Sequence, residues 1–185
     1  MGPSFEIRVN CLRGLSWLGV FGLLTLSSNA AAYTLSNSVF DVQTGTNGEI
    51  SSLQLTGDAF TTDYVLNATN APGQNTSDHE WVGELMFTYR VGAGAWTTAL
   101  TNHSSDVRSM QQSGDTVTVS YQDSGNVEGV RNFNLVETYS LVDDYLYWQI
   151  ELTNTSSQSI EFGDIGLPLP FNEYFNGGDV IYEQR

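Results

Sequence analysis

The sequence predicts an all-β protein, an antiparallel β-sandwich, preceded by a helical secretory leader. Two observations carry this. Residues 1–32 run from a basic start through an apolar stretch to a small-residue exit. Beyond them, short alternating runs are separated by Gly, Asn, Asp and Ser, the period-two signature of strands, with no helical period.

Arg8 and Arg13 supply the basic start of the leader. Gly14–Leu26 carries no charge and holds Leu15, Trp17, Leu18, Val20, Phe21, Leu23, Leu24 and Leu26. Ala30, Ala31 and Ala32 follow as a cleavage site of A-x-A type. The apolar run is shorter than the roughly 20 residues that span a bilayer, so no stable membrane anchor is expected. Residues 1–32 are therefore assigned as a signal peptide and 33–185 as a secreted, extracellular β-sandwich domain.

Within that domain Ser38–Val42 and Ile50–Leu55 flank Asn47-Gly48, a hairpin signal. Leu85, Phe87, Tyr89 and Val91 share one face of a strand. Gly92-Ala93-Gly94 turns the chain into Trp96–Leu100. Val117, Val119 and Tyr121 alternate with polar residues. Phe133, Leu135, Glu137, Tyr139 and Leu141 share a parity, and Asp143-Asp144 turns into Leu146, Trp148, Ile150 and Leu152. Ile160–Asp164 and Val180–Glu183 complete about ten strands at sandwich-like spacing.

Charge narrows the partners. The whole chain carries six basic and 21 acidic side chains, a net charge of −15. Residues 33–185 keep only Arg90, Arg108, Arg131 and Arg185 and lose only Glu6 among the acids, giving −16. There is no lysine. Such a surface repels phosphate backbones and anionic lipid, so no nucleic-acid partner is expected. The single cysteine, Cys11, lies in the leader, so the secreted part rests on core packing rather than disulfides. No metal or cofactor motif is present. Four sequons, at Asn67, Asn75, Asn102 and Asn154, are candidate glycosylation sites in turn-like stretches.

Candidate chemistry is sparse. His79-Glu80-Trp81 closes a long loop and sets a base, an acid and a stacking surface side by side. Sugar rings stack on exposed aromatic faces, so Trp81, His79 and Trp96 are the carbohydrate-binding candidates. The competing reading for Trp81 is a core aromatic at the start of a strand. Glu137 and Glu80 are the candidate catalytic acids. Glu137 shares its parity with apolar residues, and a carboxylate facing a core must be paired or held protonated. The alternatives are that Arg131 pairs with it, or that the face carrying Val136 and Val142 is the buried one. Gly163–Asn172 combines glycines, prolines and apolar residues, and reads as a docking surface with Asp164, Pro168, Pro170 and Phe171 as interface residues.

The stretches Tyr33–Val42 and Asn47–Leu53 resemble the first hairpin of the galactose-mutarotase-like β-supersandwich of many carbohydrate-active enzymes. Thr138–Leu141 through Tyr147–Asn154 is similar to a central hairpin of that fold, and Gly163–Asn172 to a stretch in a family of large secreted microbial proteins that are glycoside-hydrolase-like. The resemblance implies a partial supersandwich that precedes an (α/α)6 toroid, which is missing from this chain along with the catalytic acids it would hold. It also implies that residues 33–185 are the N-terminal part of a longer protein. The function expected is a secreted, carbohydrate-associated accessory domain that is not catalytic alone, with carbohydrate or a downstream catalytic domain as partner. The alternative is an autonomous glycan-binding or adhesion module.

Overall fold

The computed structural model describes residues 4–12, 32–60, 62–65, 81–101, 108–122, 130–169, 175–176 and 179–180. These form thirteen strands and no helix: β1 (Ser4–Leu12), β2 (Thr34–Ser36), β3 (Phe40–Thr44), β4 (Ile50–Leu55), β5 (Met86–Val91), β6 (Thr97–Leu100), β7 (Arg108–Ser113), β8 (Thr116–Tyr121), β9 (Phe133–Val142), β10 (Tyr145–Asn154), β11 (Ile160–Gly166), β12 (Phe175–Asn176) and β13 (Asp179–Val180). The all-β antiparallel architecture matches the period-two reading. The apolar stretch of the leader, Gly14–Leu26, lies outside the described residues.

Five strands make the larger sheet, in the order β1-β10-β9-β8-β7. The β9–β10 pair runs ten residues without a register shift, from Phe133 opposite Asn154 to Val142 opposite Tyr145. Asp143 closes this hairpin with φ 55°, a left-handed conformation that Asp tolerates better than most side chains. The remaining strands form two three-stranded sheets, β2-β3-β4 and β11-β5-β6, and a short β12-β13 ladder. All pairings are antiparallel except β1 on β10, which is parallel.

The core lies between the five-stranded sheet and the two smaller ones. Alternation decides which side chains enter it, because successive residues of a strand point to opposite faces. On β9 Phe133, Leu135, Glu137, Tyr139 and Leu141 are buried, and on β10 Leu146, Trp148, Ile150 and Leu152. Phe133 meets Phe87, Tyr89 and Phe162 of the β11-β5-β6 sheet, with ring centroids 5.1–6.0 Å apart. The Tyr89–Phe133 and Phe133–Phe162 pairs are edge-to-face, the arrangement the ring quadrupoles favour. The two smaller sheets are joined where the Ile50 amide donates to the Val82 carbonyl at 2.7 Å.

Four elements escape the reading from alternation: β1 falls in the stretch read as leader, and β12 has only two residues. β7 carries almost no apolar residue, and it pairs with β8 through Gly114, whose φ of 56° makes the tight turn. β2 is only three residues long, below the length at which a period can be seen. The expected Asn47-Gly48 hairpin is present as a five-residue connection. Thr44 pairs with Ile50 after a bulge at Gln43/Thr44, and the Gly45 amide donates to the Glu49 carbonyl at 2.8 Å.

Candidate functional site

Two constellations stand out, one buried and one exposed. The buried one is centred on Glu137, which has no solvent-exposed surface. Residue parity on β9 sends it inward with Tyr139, while Val142 on the other face is exposed. The face carrying Val136 and Val142 is therefore not the buried one. The Trp148 indole N–H donates to Glu137 Oε2 at 2.9 Å, and the Tyr139 hydroxyl lies 3.2 Å from the same oxygen. Tyr139 Oη is also 3.0 Å from the Gly48 carbonyl and 3.4 Å from the Gly83 carbonyl.

Burial dominates the electrostatics of this group. Desolvation raises the Glu137 pKa from 4.5 to about 8, against hydrogen bonds from Trp148, Tyr139 and Tyr121 and the charge of Arg108. The cation whose charge acts on it is Arg108 rather than Arg131, the partner considered from the sequence. Desolvation, and then the neighbouring Glu137, also push the Tyr139 hydroxyl well above its usual value. At neutral pH the carboxyl is predominantly protonated. It can then donate to Tyr139 Oη and leave the tyrosine proton for the Gly48 carbonyl. Among the described residues Oε1 has no hydrogen-bond partner, which costs a neutral carboxyl less than an anion.

This cluster ties the smaller sheets to the larger. The Arg108 guanidinium donates to the Asn47 carbonyl at 2.6 Å, and the Tyr121 hydroxyl donates to it at 3.3 Å. A Cβ at Gly48, where φ is 90°, would come within 2.9 Å of Val119 and 3.0 Å of Tyr121 Oη. The chain therefore needs glycine to bring this carbonyl to the tyrosines.

The exposed constellation lies on the outer face of the β11-β5-β6 sheet. Trp96 is 48 % exposed, with the Arg90 guanidinium over its ring, 4.8 Å from the centroid. Arg90 is held in turn by Glu161, its cross-strand neighbour, through two N–H···O contacts of 2.8 and 2.6 Å to one carboxylate oxygen. Both partners are partly exposed, so this pair contributes orientation more than stability. Gly163 sits at the bulge of β11. A Cβ there would crowd the Thr88 hydroxyl and come within 3.1 Å of the Trp96 ring. The result is an exposed indole fixed by a cation and an uncluttered strand.

Trp81 is half-buried in the turn that precedes β5, its amide donating to the Glu84 carboxylate at 3.2 Å. The structure does not bring it to Trp96's cluster. His79 and Glu80 lie outside the described residues, as do Asn67, Asn75, Asn102, Pro170 and Phe171. Asn154 ends β10 in a tight turn, where its amide donates to the Gln158 carbonyl at 2.7 Å and its Oδ1 accepts from Ser156. Asp164 is exposed and Pro168 half-buried. Around them Ile165, Leu169 and Met86 are exposed apolar residues, Met86 lying opposite Gly166. Sequence reasoning missed the Tyr145–Tyr147 pair, stacked at 5.8 Å and 27° on the outer face of β10. Their two-residue spacing was the available signal.

A family model described as a family of unknown function, DUF5695, matches residues 46–183. The chain belongs to this family. The match spans β4 through β13, so the Glu137 cluster and the Trp96 surface both lie inside the DUF5695 region. No curated protein and no solved structure matches the chain. Among the described residues of this DUF5695 chain, no helix is long and apolar enough to cross a membrane, and no three His, Cys, Asp or Glu side chains gather as a metal site.

Proposed function

We propose that residues 33–185 are a secreted, carbohydrate-associated accessory β-sandwich of a glycoside-hydrolase-like protein, with catalysis carried outside this domain. The observation that carries the reading is Trp96. A soluble, acidic domain spends an exposed indole, an oriented Arg90–Glu161 pair and a glycine at the close approach on one outer face. That is the chemistry a sugar ring uses: exposed aromatic surface to pack against and polar groups held beside it to reach its hydroxyls. The resemblance to the galactose-mutarotase-like supersandwich supports the same reading. In it Glu137 is a core group, because a residue without solvent exposure does not meet a polysaccharide.

The second reading is an autonomous glycan-binding or adhesion module. The exposed Met86, Ile165 and Leu169 favour the accessory domain, since apolar residues grouped beside the end of β11 fit a neighbouring domain better than water. Affinity electrophoresis against a panel of neutral polysaccharides tests the shared part. Retardation by at least one polymer is expected, with Trp96→Ala weakening it about tenfold or more, as loss of a central aromatic anchor does. The thermal melt of that variant should be nearly unchanged, because the ring is half in solvent. Absence of retardation on every polymer would remove the carbohydrate reading. Release of reducing ends by the purified chain would remove its non-catalytic part.

A further inference from the structure

Among the described residues the outer edge of β10 is covered by one element, the parallel strand β1. Nine consecutive residues pair, from Ser4 opposite Tyr145 to Leu12 opposite Thr153. At the other edge of this sheet β7 is already tied to the β2 segment. The Tyr33 hydroxyl donates to the Met110 carbonyl at 3.1 Å and the Gln112 amide to the Thr34 carbonyl at 2.8 Å. Without β1, β10 is a ten-residue edge strand with no proline, no lysine and no bulge against β9. Glu151 is its one charged side chain, so it carries few of the devices that keep sheet edges from pairing.

We infer that this edge is an interface between two copies of the chain, closed in cis by Ser4–Leu12 and opened when that strand leaves. The strand's own sequence argues for a second copy. An antiparallel two-fold pair of β10 centred on Gln149 sets Leu146 against Leu152 and Trp148 against Ile150 on the buried face. On the other face Tyr147 meets Glu151 and Tyr145 meets Thr153, and at the strand end Asn154 meets Asp144 of the preceding turn. No like charges oppose each other in this register, although the chain is strongly acidic. The interface is isologous and closes at two copies. Backbone pairing supplies affinity, and the side-chain register supplies specificity. That export opens the edge rests on reading residues 1–32 as a cleaved leader; the edge itself does not.

The test uses the full, unprocessed chain in reducing buffer, which silences Cys11. Its mass by light scattering should be that of a monomer. The double variant Arg8→Pro/Val9→Pro places proline at two successive positions. Successive N–H groups point to opposite sides of a strand, so one of the two substitutions removes a donor facing β10. This variant should double in mass. Adding Gln149→Glu, which sets two carboxylates opposite each other on the two-fold axis, should return it to monomer. Mixing that chain with the Arg8→Pro/Val9→Pro/Gln149→Lys chain should restore a mixed dimer.

A double-proline chain that stays monomeric overturns the proposal. So does a dimer indifferent to the charge at position 149, or one already formed by the unprocessed wild type. The exported product is read separately: a mass that retains residues 1–32 removes the leader reading and leaves the double-proline result standing.

Discussion

Glu137→Gln is expected to stabilise the protein in mild alkali while leaving it nearly unchanged in acid. In the unfolded chain the carboxyl titrates at 4.5, and in the folded protein burial holds it at about 8. Below the lower value both states carry the proton, and the folded state keeps its full advantage. As pH rises from 4.5 towards 8 the unfolded chain releases the proton while the folded protein retains it, so stability falls by about 1.4 kcal/mol per pH unit. Above about 8 both states are ionised and the loss levels off, having reached about 5 kcal/mol.

Glutamine keeps an acceptor for the Trp148 indole N–H and has no proton to lose. Thermal melts of both proteins from about pH 4.5 to about pH 8.5 should therefore diverge, with the variant about 10–20 °C higher at the alkaline end. Taking the difference between the two proteins cancels every other titrating group. A difference constant across that range would mean that Glu137 is ionised in the folded state, and the account of the core given above would be wrong.

Gly83→Ala is expected to be among the most damaging one-atom additions in the chain. Gly83 has φ 96°, where an L side chain is strained. A Cβ there would overlap the Tyr139 hydroxyl oxygen and come to 3.2 Å from Glu49 Cα and Ile50 N. None of these can yield easily. Tyr139 is fully buried, and the other two atoms are backbone at the junction of the two smaller sheets.

Strain and overpacking together should cost about 3 kcal/mol, a fall in Tm of about 6–12 °C for a domain of this size. Gly57→Ala is the internal control. Its φ of 78° is equally left-handed, but none of the described residues lies within 4 Å of the added carbon. That variant should lose only about 1 kcal/mol. Equal losses at the two positions would show that backbone conformation, not the approach of Tyr139, sets the requirement for glycine at Gly83.

Much of the fold was legible because a strand writes its buried face in every second residue. Leu146, Trp148, Ile150 and Leu152 on β10 were read as a core face and are buried, and the shared parity of Phe133, Leu135, Tyr139 and Leu141 on β9 also proves to be a buried face. β7 was not legible, because Arg108–Ser113 is polar but for Met110 and is held by backbone pairing to β8. The Trp96 surface was only half legible. An exposed tryptophan before a strand is a local signal, but the groups that fix it are Arg90 and Glu161, 71 residues apart. Their pairing depends on how β11 registers against β5, and no local pattern encodes that.

Glu137 divides the two sources of information most clearly. The sequence alone determined that this carboxyl shares a parity with apolar residues and must be paired or protonated there. It could not decide which face is buried, because Val136 and Val142 make the other face apolar enough to compete. Only the tertiary structure decided that, by laying the Phe87, Tyr89 and Phe162 rings against the Phe133 side of the strand. It also supplied the Trp148 indole and the Tyr139 hydroxyl as partners and brought Arg108 into range, none of which sequence spacing specifies. Burial of a strand face is a local, periodic property. The partners of a buried polar group are set by sheet packing over long separations, and those arise only when the chain has folded.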